Sequence, residues 1–186
     1  MCCKVGWSGI EWGVWRTGGD PDHSRARSGI EAGRLIKRAG DSVFLGEYQH
    51  TLDAKGRVSL PRKFRDEIGV HVVVSKGLDN CLYVYPAEGY RAFLDNLLSA
   101  SDFDRNSRAV RRHFTAGATD VDIDGAGRVS VSQALREFAG LTRDVVVAGV
   151  ADHIEIWDAA AWAAYEDASA PTIEDAAEAL ARSGIL

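Results

Sequence analysis

An internal duplication constrains this chain more than any other feature of its 186 residues. Asp53-Ala54-Lys55-Gly56-Arg57-Val58-Ser59 returns as Asp124-Gly125-Ala126-Gly127-Arg128-Val129-Ser130, 71 positions later. Arg65, Asp66 and Gly69 meet Arg136, Glu137 and Gly140 at the same offset. A one-residue insertion then moves the offset to 72, and Val73-Val74, Gly77, Leu82, Val84 and Tyr85 meet Val145-Val146, Gly149, Ile154, Ile156 and Trp157. Tyr90 and Phe93 meet Trp162 and Tyr165. Such a match means one supersecondary unit used twice.

Each unit reads as strand, turn, strand, short helix, hairpin. Glu47–Leu52 and Val121–Ile123 are expected as strands ending at an Asp-x-x-Gly turn, in which Asp bonds its own backbone and Gly supplies positive φ. Arg57–Leu60 and its counterpart return. A helix starts near Pro61 in one unit and Ser132 in the other, stopped by Gly69 and Gly140. Val70–Ser75 and Cys81–Tyr85 then form two strands around Gly77–Asn80. Tyr90, Phe93, Leu94, Leu97 and Leu98 fall at i, i+3, i+4, i+7 and i+8, the apolar face of a helix. Asp104–Phe114 is a second helix, whose Arg105, Arg108, Arg111 and Arg112 read as a solvated face. Thr172 with Asp175 predicts a capping box before a C-terminal helix with Ile173, Ala176, Ala177 and Leu180 on one side.

Residues 1–42 differ. They hold eight of the 19 glycines and three of the five tryptophans, without a period of 2 or 3.6, and are expected to be a disordered extension that arises from an upstream start-site assignment. The predicted organisation is then repeat 1 over 43–101, repeat 2 over 102–166 and a helical tail over 167–186.

Composition removes several functions. No apolar run reaches membrane-spanning length, and no apolar leader opens the chain, so a cytoplasmic protein is expected. Cys2, Cys3 and Cys81 fit neither a zinc knuckle nor a disulfide framework, and Cys81 reads as core. His50, His71, His113 and His153 lack ligand spacing, so neither metal nor cofactor is expected. Trp157 and Trp162 read as core. Asp122 and Asp124 are placed two apart on a strand, but no nucleophile–base pair or phosphate loop accompanies them, so the chain is not read as an enzyme.

The net charge of -5 opposes nucleic-acid binding, but local patches decide contact. Between Asp53 and Arg65 the chain carries Lys55, Arg57, Arg62, Lys63 and Arg65 against Asp53 alone. The equivalent stretch carries Arg128 and Arg136 against Asp124; Ala126, Gln133 and Ala134 stand where Lys55, Arg62 and Lys63 do. A Gly-Arg corner is expected to lift a guanidinium clear of the fold, ready to grip a phosphate or the O6/N7 edge of guanine. Asp53 and Gly56, like Asp124 and Gly127, hold the turn and orient its arginine.

Phe44 through Arg65, Phe114-Thr115-Ala116-Gly117-Ala118 and Asp152-His153-Ile154-Glu155-Ile156-Trp157 resemble the MraZ family, part of the AbrB-like swapped-hairpin group, from Val43 to about Tyr165. The resemblance implies an α+β fold, a double-split β-barrel made by two tandem AbrB-like repeats with flanking helices. It implies a homo-oligomeric ring, double-stranded DNA as partner, and repression from repeated promoter boxes upstream of the division and cell-wall gene cluster, at the nucleoid. Arg57 matches the family's principal DNA-contacting arginine and Lys55 its neighbour. Arg128 occupies the corresponding corner of the second half. Arg62 and Lys63 join them as expected DNA contacts, with the first half dominant.

Overall fold

The computed structural model describes residues 43–99 and 102–185; the expectations for 1–42 lie outside them. The first half contributes β1 (Phe44–Thr51), β2 (Arg57–Ser59), α1 (Arg62–Ile68), β3 (His71–Lys76), β4 (Leu82–Pro86) and α2 (Ala87–Leu98). Next come α3 (Arg105–Thr115), β5 (Thr119–Asp122), β6 (Arg128–Ser130), α4 (Gln133–Phe138), β7 (Asp144–Ala151) and β8 (His153–Asp158). The chain ends with α5 (Ala159–Ser169), a 3-10 turn (Ala170–Thr172) and α6 (Ile173–Arg182). Mixed α+β structure with antiparallel pairing follows, as the sequence suggests.

The two units exchange their leading strands. β1 pairs with β7 of the second unit, and β5 pairs with β3 of the first, giving a six-stranded antiparallel sheet in the order β1-β7-β8-β4-β3-β5. β2 pairs with β6 in a separate ribbon. β1 and β2 therefore do not zip into an ordinary hairpin; one bridge, Leu52 to Val58, links them. Two registers place a local two-fold axis. Val58 faces its counterpart Val129 in the ribbon, and Tyr83 faces its counterpart Glu155 between β4 and β8.

Alternation along these strands builds the core. Val72, Val74, Leu82, Val84, Val145, Val147, Ile154 and Ile156 turn one sheet face inward onto Val58, Val129, Phe64 and Leu135. Val58 and Val129 are fully buried, each contributing about 1.5–3 kcal/mol by leaving water. The opposite face carries Cys81, Val146 and Trp157, with Tyr83 and Trp162 packed against them. Cys81 and Trp157 are core, as expected.

Helix starts follow local chemistry. The Ser132 hydroxyl accepts from the Leu135 amide and Asp104 accepts from the Ser107 amide. Thr172 differs from its prediction. Its backbone is already helical and its hydroxyl donates to the Ser169 carbonyl, so no capping box forms. The chain enters α6 through a 3-10 turn that continues α5, so the amides a cap would serve already have a preceding turn to bond.

Candidate nucleic-acid interface

The two Asp-x-x-Gly-Arg turns meet at the two-fold axis. In the first, the Asp53 carbonyl accepts from the Gly56 amide at 2.9 Å, and Asp53 Oδ1 accepts from the amides of Lys55 (2.9 Å) and Arg57 (3.0 Å). In the second, the Asp124 carbonyl accepts from Gly127 at 2.7 Å, and Asp124 Oδ1 accepts from Ala126 (2.9 Å) and Arg128 (3.0 Å). Each turn bonds to the opposite strand as well. Leu60 N donates to Gly127 O at 2.9 Å, and Val131 N to Gly56 O at 2.8 Å.

Each aspartate's second oxygen holds its arginine. Arg57 Nε and Nη2 lie 2.8 and 2.6 Å from Asp53 Oδ2; Arg128 Nε and Nη2 lie 2.8 and 2.7 Å from Asp124 Oδ2. Longer contacts cross the axis, Arg57 Nη1 to Asp124 at 3.5 Å and Arg128 Nη1 to Asp53 at 3.8 Å. The four side chains form a closed charge quartet. Its guanidiniums are not lifted clear of the fold: the Arg57 side chain is 26% exposed and that of Arg128 32%. The carboxylate at i−4 folds each one back against the turn. The Asp53 and Asp124 carboxyls are held down at about 2, mainly by the hydrogen bonds from Arg57 and Arg128. Both stay ionised at neutral pH.

Two further arginines complete the cluster. The Arg136 guanidinium lies over Gly56, where a Cβ would come 2.9 Å from Cζ. Arg65 lies over Gly127, where a Cβ would run into its guanidinium. Both glycines also hold positive φ, 75° and 78°. Each turn therefore carries its own arginine and one from the other unit's helix. Arg65 and Arg136 are not among the predicted turn-site residues. The duplication aligned them with each other, the signal that could have found them, yet alignment cannot say that each reaches the opposite turn.

The remaining candidates surround the quartet on the first half. Lys55 is exposed in its turn, and Arg62 and Lys63 are exposed at the start of α1, with Lys63 Nζ 3.4 Å from the Leu45 carbonyl. At the same positions the second half exposes Ala126, Gln133 and Ala134, and Gln133 bonds Glu137. Asp122 and Asp124 do not share a strand face. Asp122 ends β5 and pairs with His71, whereas Asp124 lies in the turn. Nor is the α3 arginine row wholly solvated: Arg111 pairs with the Asp102 carboxylate, and Arg108 donates to its carbonyl at 2.8 Å.

Comparison with known proteins agrees with this architecture. A family model described as "MraZ protein, putative antitoxin-like" matches twice, over residues 43–113 and 114–183. A protein named "Transcriptional regulator MraZ" from Acetivibrio thermocellus is 43% identical over 143 residues, 77% of this chain and 100% of its own length. Its namesake from Syntrophomonas wolfei is 42% identical with the same coverage. One from Limosilactobacillus fermentum is 43% identical over 135 residues, 73% of this chain and 94% of its own length. With two successive matches spanning most of the sequence, two exchanged units and paired turns on one axis, the chain belongs to the MraZ family.

Proposed function

We propose that this chain is a DNA-binding transcriptional repressor that acts as a homo-oligomeric ring on repeated promoter boxes upstream of the division and cell-wall gene cluster, at the nucleoid. The observation that carries the reading is the quartet of Arg57, Asp53, Arg128 and Asp124, which fixes two guanidiniums side by side on one surface. A guanidinium clamped by its own aspartate through Nε and Nη2 at 2.6–2.8 Å, with Nη1 held more loosely at 3.5–3.8 Å from the opposite carboxylate, loses little side-chain freedom on binding. Arg57 and Arg128 then read base edges, while Lys55, Arg62 and Lys63 hold phosphates beside the first turn. The relatives' printed names, transcriptional regulators, agree with this assignment. The exchanged strands and the β2–β6 ribbon support a double-split barrel as the scaffold.

Arg57→Ala tests the reading in a band-shift assay with the DNA upstream of the chain's own gene. Box binding is expected to fall by about fivefold to about 150-fold, since a good bidentate base contact is worth about 1–3 kcal/mol. The oligomer should remain intact. Unchanged binding with an intact oligomer would overturn the assignment and favour a protein-binding module.

A further inference from the structure

We propose that Arg65 and Arg136 are crossed positioning residues, each setting the DNA-reading arginine of the opposite repeat. The proposal rests on the DNA-binding reading above and deepens it. Each turn glycine is gripped twice by the other unit. The Gly56 carbonyl accepts from the Val131 amide at 2.8 Å, and the Arg136 guanidinium lies against the Gly56 Cα. The Gly127 carbonyl accepts from the Leu60 amide at 2.9 Å, and the Arg65 guanidinium lies against the Gly127 Cα. Leu60 and Val131 are 71 positions apart, as are Arg65 and Arg136, so one device appears twice.

An ion pair does not explain either guanidinium. Both side chains are half-buried, and the Nε of each is enclosed without an acceptor. Among the described residues neither arginine pairs with a carboxylate. An enclosed donor left without an acceptor lowers stability, and both repeats bear that cost at the same place. Arg57 and Arg128 differ from them, because each has its own aspartate.

Packing says what they do. Gly56 precedes Arg57, and Gly127 precedes Arg128. With Arg136 filling the space over Gly56, the Arg57 side chain is denied that space, and like charge opposes its swinging there. Arg57 is left in the grip of Asp53, and Arg128, by the equivalent contact, in that of Asp124. A reading group keeps its geometry where the residues behind it are packed. The consequence runs against position in the sequence. Arg136 belongs to the second repeat but serves the first turn, the one with Lys55, Arg62 and Lys63 beside it. Arg65, within the first repeat's basic stretch, serves the second turn.

Binding titrations of the full chain on box and random duplex test the crossing. Arg136→Met keeps an unbranched stem and removes the guanidinium. R136M should lower the preference for box over random DNA by about fivefold, the low end of what a bidentate base contact supplies, and R65M by less. The salt slope should stay as in wild type, whereas loss of a phosphate contact would flatten it by about 0.9. The loss should also run through Arg57: R136M should lower the preference in an R128A background and leave it unchanged in an R57A background, as a double-mutant cycle requires of coupled groups. Where R136M does not fold, R136K takes its place with the same expectation, because lysine keeps the charge but not the planar fork. An unchanged preference, a flatter slope, a greater loss from R65M than from R136M, or an equal loss in R57A would overturn the crossed positioning and leave Arg57 as the reading residue. A wild type without preference for box DNA, or an R57A variant that keeps it, would overturn the DNA-binding reading and this proposal with it.

Discussion

Asp53 and Asp124 matter more to the site than their negative charge suggests. Each spends one oxygen on its turn's amides and the other on its arginine. Asp53→Asn adds a unit of positive charge, so simple charge counting foresees tighter DNA binding. We expect the reverse for sequence discrimination: affinity for random DNA rises slightly, whereas the preference for box DNA falls by about tenfold as Arg57 loses its clamp. Competition between box and random duplex reads this ratio. Acid stability carries the same signature. Both carboxyls titrate near 2 in the folded chain and at about 4 in an unfolded one. Their stabilisation is therefore whole above about pH 4 and is lost as pH falls through 2. Acid titration should show a flatter stability slope in that window for D53N/D124N than for wild type. Gly56→Ala acts through the backbone. At φ 75° a Cβ costs about 1–2 kcal/mol, and Arg136 must also move, so the urea midpoint should drop accordingly.

At the scale of elements, caps separate two helices that look alike in sequence. Ser132 bonds the Leu135 amide, so Ser132→Ala should cost about 1 kcal/mol in urea unfolding. Thr172 serves no amide, so Thr172→Ala should stay within about 0.5 kcal/mol. Equal losses at the two sites would mean that α6 is capped after all. The contrast shows what the sequence could disclose. Most strands and helices were legible, because period and turn chemistry are local; α5, an alanine-rich run whose only strong marks are Trp162 and Tyr165, was not read as a helix. Both Asp-x-x-Gly-Arg turns were legible too. Strand partners were not: nothing within Phe44–Thr51 says that it pairs with Asp144–Ala151 rather than with Arg57–Ser59. The same gap hid the site's second layer. Arg65 was visible as a cation, but its place over Gly127 exists only because the units exchange. Thr172 misled because a capping box presumes a free helix end, and a helical approach removes it.

At the scale of the paired repeats, exchange at the axis gives a symmetric frame with an asymmetric charge pattern. The frame places two equal turns side by side, but the first half surrounds its turn with Lys55, Arg62 and Lys63 while the second offers Ala126, Gln133 and Ala134. On the proposed reading a single copy would therefore make few phosphate contacts, and each would contribute a salt-dependent share of binding, about -0.9 in the slope of log affinity against log salt. Two routes should strengthen binding, and they differ in what they change. Adding boxes engages more copies, so several boxes should bind far more tightly than one, with a steeper salt slope. Making the second half basic, A126K/Q133R/A134K, should strengthen binding to one box and steepen its slope by up to about 0.9 per new contact. All three positions are exposed, so the fold should tolerate the change. Binding titrations at two salt concentrations measure both effects. If the tri-substituted chain bound a single box no more tightly than wild type, the second turn would lie off the DNA, and the symmetric frame would serve assembly alone.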